Sequence, residues 1–166
     1  MGTYFRMSHR FDLCTPADFG LEETPDKDIA VDPTDGASWR RCALYDFGWG
    51  KENGYCKLPL PSFELLLELA VTGENREDQY GAAAIILDEY PDLLLAACEV
   101  MAQDPSQSES LKSLNAVFQL ESGINHSPTT GKHYNDIRTD AARWQTLATY
   151  LKSLHPAKKK SFWPFG

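Results

Sequence analysis

The chain has no apolar run long enough to cross a bilayer. Its strongest stretches, around Leu65–Leu67 and Ala82–Leu87, fall far short of the ~20 residues a spanning helix needs. It also lacks a basic start followed by an apolar segment and a small-residue cleavage site, so a cytoplasmic location is the default expectation. Four cysteines, Cys14, Cys42, Cys56 and Cys98, include no paired C-x-x-C knuckles. Their spacing therefore predicts no zinc site. Cys98, within Leu-Ala-Ala-Cys, reads as a small buried thiol, and the other three stay unassigned.

Basic residues are scarcest in the middle of the chain. Residues 61–121 hold twelve carboxylates against Arg76 and Lys112, whereas residues 1–60 hold ten against seven basic side chains. Residues 122–166 reverse the balance, with Asp136 and Asp140 facing seven Lys and Arg. The net charge of −8 over 166 residues thus conceals an acidic centre and a basic end. Such a centre repels nucleic acid and attracts a basic protein over about a Debye length, ~8–10 Å at cellular salt.

What is present is ordinary globular composition, 42% apolar and 24% charged, which fits one domain with no need of metal or disulfide to hold a core. The expected limits are residues 1–157, with a β-rich part over 1–60, a helical part over 61–157 and a basic-aromatic tail over 158–166. Phe5, Met7, Phe11 and Leu13 alternate with polar residues, as a half-buried strand does. Residues 15–37, rich in Pro, Asp, Gly and Thr, read as a long acidic loop. Ala43, Tyr45, Phe47 and Trp49 alternate again toward Asn53-Gly54, a pair suited to a type I′ turn. A small antiparallel sheet of about three strands follows.

Pro59 and Pro61 close that region, and Ser62 predicts a helix to about Thr72 with Gly73 as its left-handed stop. Asn75 and Asp78 start a second helix with an apolar stripe of Tyr80, Ala83, Ala84 and Leu87. Pro91 opens a third, carrying Leu94, Leu95, Cys98 and Met101. Ser106 and Glu109 form a capping box for a fourth that Gly123 closes. Ile137, Ala141, Trp144, Ala148 and Leu151 recur at helical steps, a fifth helix ending before His155-Pro156. The expected fold class is α+β, mainly α: a small N-terminal sheet packed on about five helices, the middle four as antiparallel pairs. Those four also align at a thirty-residue offset, Pro61, Phe63 and Leu65 with Pro91, Leu93 and Leu95. A true repeat and an accidental alignment of Pro-started Leu/Ala helices both stay open.

The run Arg76-Glu-Asp-Gln-Tyr-Gly-Ala-Ala-Ala-Ile-Ile-Leu-Asp-Glu-Tyr-Pro-Asp-Leu-Leu-Leu, followed by Asp104-Pro105, resembles a HEAT-like helical hairpin. Over residues 61–121 it is similar to those of small acidic immunity proteins that neutralise bacterial polymorphic or contact-dependent toxins. The resemblance implies a non-enzymatic inhibitor that occludes the active site of a basic toxin, such as a nuclease. A scaffold or regulatory protein using the same acidic surface is the alternative.

The carboxylates expected to steer that partner are Glu64, Glu68, Glu74, Asp88, Glu89 and Asp92, with Trp49 and Tyr90 as aromatic anchors. Acids at helix N-termini also stabilise the helix dipole, which accounts for Glu77, Asp78 and Asp92 but not for Asp88 and Glu89 at a C-terminus. No catalytic residue, metal ligand or cofactor is expected. His126, Lys132 and His133 share a Thr- and Gly-containing segment, but it fails the phosphate-loop pattern and reads as a polar connection, leaving an enzyme as the last reading. Lys158-Lys-Lys precedes Phe162, Trp163 and Phe165, and three charges give no stable membrane association.

Overall fold

The computed structural model describes residues 2–7, 15–46 and 51–154. His9, Phe11, Leu13, Cys14, Phe47, Trp49 and the tail from His155 onward lie outside the described residues. The chain divides into two compact units, one reaching to Leu94 and the other running from Leu95. The change from strand to helix near residue 60 is therefore not the border between units.

In the first unit five antiparallel strands, β1 (Phe5–Met7), β2 (Glu22–Glu23), β3 (Ile29–Val31), β4 (Ser38–Asp46) and β5 (Lys51–Lys57), lie in the order β1-β5-β4-β3-β2. The sheet is larger than expected because the Pro- and Asp-rich segment 15–37 contains β2, β3 and a 3₁₀ turn at Pro16–Phe19. Thr15 and Asp18 cap that turn reciprocally, and Gly20 ends it at φ 68°. The Asn-Gly pair is not the hairpin turn. Asp46 stands opposite Lys51, so the chain reverses before Asn53-Gly54, which pairs inside β5 with Ala43 and Cys42. Turn propensity yields there to strand pairing.

Strand alternation gives the sheet two buried faces. Phe19, Leu21, Ala30, Trp39 and Tyr55 make a core on one face, bordered by Arg6, whose guanidinium lies 4.2 Å from the Trp39 ring centre. The other face presents Phe5, Met7, Leu44 and Cys56 to α2 (Arg76–Glu89). Contact is close at Gly81, where an added Cβ would lie 2.2 Å from the Phe5 ring.

A hairpin of α1 (Phe63–Thr72) and α2 completes this unit. Ser62 caps α1 as expected, accepting the Leu65 N–H at 3.3 Å. Gly73 does not adopt the left-handed conformation: it has φ −54° and ψ 134°. Asn75 caps α2, whose fully buried positions are Asp78, Gly81, Ala82, Ile85 and Ile86. The expected stripe of Tyr80, Ala83, Ala84 and Leu87 is only half-buried. α2 packs on both the sheet and α1, so its covered surface runs through Gly81–Ala82 and Ile85–Ile86 instead of that stripe.

The division between units falls within α3 (Pro91–Ala102). In the second unit Leu95 and Cys98 of α3, Leu111, Leu114 and Phe118 of α4 (Ser108–Phe118), and Trp144, Leu147, Ala148 and Leu151 of α5 (Tyr134–Ser153) are buried. Ser106 does not cap α4. Asp104 instead accepts the Ser106 N–H at 2.9 Å and caps a 3₁₀ turn at Pro105–Gln107 that leads into the helix. Gly123, at φ 67°, closes a further 3₁₀ turn at Leu120–Ser122 rather than α4 itself. Architecture is α+β, mainly α, as expected.

Candidate functional site

From Pro61 to Leu94 the chain carries eight carboxylates against Arg76 alone, and the fold sorts them by role. Glu77 and Asp78 turn inward: Glu77 accepts the Gly2 N–H at 2.6 Å, and Asp78 those of Thr3, Tyr4 and Phe5 at 2.8, 2.8 and 2.9 Å. Both are structural ligands of the N-terminal strand. Glu64 and Glu68 line the exposed face of α1 with Thr72, opposite buried Leu66 and Ala70. A backbone N–H at the start of α1 and then the Ser62 hydroxyl hold the Glu64 carboxyl below the ordinary carboxylate range. Glu74 is exposed in the three-residue connection to α2.

Asp88 and Glu89 are exposed at the end of α2 and Asp92 at the start of α3. Tyr90, half-buried between them, meets Phe63 edge-on with ring centres 6.2 Å apart. That contact sets the first turn of α1 beside the α2–α3 turn, so Glu64 and the Asp88–Asp92 cluster share one end of the hairpin. Glu68 and Glu74 continue toward the other end. Glu89 is bound by the Arg40 guanidinium of β4. It is therefore already neutralised from within the protein, unlike Glu64, Glu68 and Glu74, which make no ion pair among the described residues. Trp49 lies outside those residues.

Arg40 also belongs to a cluster that spacing alone did not predict. Arg40 pairs with Cys56 and Cys42 with Gly54, which places the cysteines on one diagonal of the β4–β5 ladder. The Cys42 thiol donates to the Cys56 sulfur across 2.7 Å. That hydrogen bond first, and the Arg40 guanidinium next, draw the Cys56 thiol down to about 7. Sharing its proton with Cys56, together with burial, pushes the Cys42 thiol up. A separation of fourteen positions hid the pair, and the only sequence signal was the alternation that puts both on one strand face. Cys98 is buried as expected, and burial pushes its thiol up to about 12.

On the opposite face, Thr15, Glu23, Asp26, Lys27, Arg41 and Tyr55 line an open cleft of about 340 Å³ that carries charges of both signs. In the second unit the His126–His133 segment is tied to α5. His126 packs edge-on against Trp144 at 5.1 Å, and burial lowers its pKa. Lys132 bonds Asp140 at 2.7 Å, and His133 is exposed at the N-cap position of α5. Among the described residues no group of three or more His, Cys, Asp or Glu is placed to hold a metal ion. No helix there is long and apolar enough to cross a membrane. No protein-family model matches this chain, nor does any functionally described protein or solved structure.

Proposed function

We propose that the chain is a protein-binding, immunity-type inhibitor whose acidic α1–α2 hairpin meets a basic protein, a toxin such as a nuclease. The observation that carries this reading is the exposed row of Glu64 and Glu68 along α1, continued by Glu74, none of which makes an ion pair among the described residues. Like charges held four residues apart on one helix face disfavour the isolated helix by a few tenths of a kcal/mol, so their grouping has a small folding cost. A cationic partner converts that cost into faster encounter, by factors of about 10–1,000 at low salt. Contacts around half-buried Tyr90 and Phe63 then supply apolar area at the Asp88–Asp92 end. The toxin-directed role rests on the HEAT-like immunity resemblance of residues 61–121.

The test is affinity capture from the native cell, identification of the partner by mass spectrometry, and titration of the purified pair. Association with a basic protein slows between about 0.1 and 0.5 M salt, as screening shortens the reach of the field. The triple reversal Glu64→Lys, Glu68→Lys and Glu74→Lys slows it at least tenfold, while the control Asp136→Lys on α5 does not. A partner that is not basic, or one whose association rate ignores the triple reversal, overturns the proposal.

A further inference from the structure

We propose that Cys42 and Cys56 form an oxidisable dithiol that hydrogen peroxide closes into a disulfide across β4 and β5. Three observations converge on these two residues. The sulfurs are 2.7 Å apart, against ~2.05 Å in a formed disulfide, so closure requires little further approach. Diagonal neighbours in an antiparallel ladder ordinarily stand ~7–8 Å apart, at the limit of a disulfide's reach, and these two side chains already bridge most of that gap. The Arg40 guanidinium beside Cys56 supplies the positive charge that favours a thiolate. Cys42, the half-buried member, opens the pair toward solvent, and peroxide is small enough to follow.

The chemistry balances with peroxide as the two-electron oxidant. The Cys56 thiolate attacks one peroxide oxygen, the O–O bond breaks, and the departing hydroxide takes a proton to leave as water. The Cys42 sulfur then attacks the Cys56 sulfenic acid. The S–S bond forms as the S–O bond breaks, and the Cys42 proton leaves with the hydroxyl as a second water. Both thiols end oxidised and peroxide ends as two waters. Arg40 keeps Glu89 as a partner and loses its thiolate, so oxidation also changes the charge balance at the end of α2. None of this depends on the proposed protein partner.

The full chain is treated with one equivalent of hydrogen peroxide, alkylated without reductant, and digested with trypsin. Lys51 lies between the two cysteines, so cleavage there leaves residues 42–51 and 52–57 joined only by the new bond. The expected product is that crosslinked pair, with an intact mass lower by two hydrogens and full recovery of both thiols on reduction by dithiothreitol. Arg40→Gln slows closure several-fold at neutral pH, and Cys42→Ser stops at a sulfenic acid on Cys56. Alkylation of both cysteines after peroxide treatment, crosslinking of either one to Cys14 or Cys98, or closure at an unchanged rate in Arg40→Gln overturns the proposal.

Discussion

The carboxylate of Asp78, on the first turn of α2, accepts the backbone N–H of Phe5 in β1 at 2.9 Å, and the N–H groups of Tyr4 and Thr3 as well. An acid that serves a helix dipole elsewhere serves here as the anchor of a distant chain end. Asp78 is 4% exposed, so these bonds are made largely out of water. Removing a charged acceptor leaves buried donors unsatisfied, which costs about 2–4 kcal/mol. Asp78→Ala should lower the unfolding free energy obtained from urea titration by that amount. Asp78→Asn should do nearly as badly, because its amide NH₂ would face N–H donors. A loss below about 0.5 kcal/mol in either variant would show that the anchor contributes nothing.

One turn further along α2, Gly81 allows the helix to lie on the Phe5 ring. Gly→Ala in a helix interior ordinarily stabilises by about 1 kcal/mol. Here the added methyl has no room, and Gly81→Ala should instead destabilise by about 1–3 kcal/mol. Trimming the ring restores space. Gly81→Ala with Phe5→Leu should therefore be more stable than the sum of the two single changes requires, as denaturant titration of all four proteins would reveal. Simple additivity would place the two residues out of contact.

Helical elements were legible because their signals are local. Ser62, Asn75 and Pro91 start helices where capping chemistry places them, and the step pattern of Trp144, Ala148 and Leu151 gives the buried face of α5. Positions settled by tertiary contact were not legible. Asn53-Gly54 has the composition of a turn, yet Gly54 is needed inside β5 because a Cβ there would meet Leu44 at 2.5 Å. The strands at 22–23 and 29–31 are too short to show a period, and the pairing of β2 with β3 and of β3 with β4 is what makes them strands. Among the candidate site residues, exposure of Glu64 and Glu68 follows from helix spacing, and that of Glu74 from its place in the connection after Gly73. The capture of Glu89 by Arg40 joins residues 49 apart in sequence and has no local signature.

Acid should act on the sheet through Asp32. The Thr34 hydroxyl and N–H, at 2.6 and 2.8 Å, and then Arg6 hold its carboxyl at about 2 against an ordinary 3.8. A group depressed in the folded state stabilises fully above its unfolded value and loses that contribution as pH falls toward the folded one. Stability measured by urea titration should therefore decline between about pH 4 and pH 2, and Asp32→Asn should flatten that decline. An identical acid limb in wild type and variant would remove Asp32 from the account.

Two buried indoles differ in how their N–H is satisfied, and the difference is measurable. Trp144 donates to the Ser127 hydroxyl at 3.2 Å, whereas Trp39 Nε1 has no hydrogen-bond partner among the described residues. Deleting the Ser127 hydroxyl leaves the Trp144 donor stranded, so Ser127→Ala should cost about 1–3 kcal/mol. Once Trp144→Phe has removed the donor, the same Ser127→Ala change should cost much less. The double-mutant cycle should accordingly return a coupling of roughly 1 kcal/mol. No such penalty attaches to Trp39, where Phe removes a donor that was already unpaired and the loss reflects ring size and the Arg6 and Lys57 contacts. If Ser127→Ala costs the same with Trp144 or Phe at that position, the hydroxyl stabilises the second unit through some other partner and the indole bond is incidental.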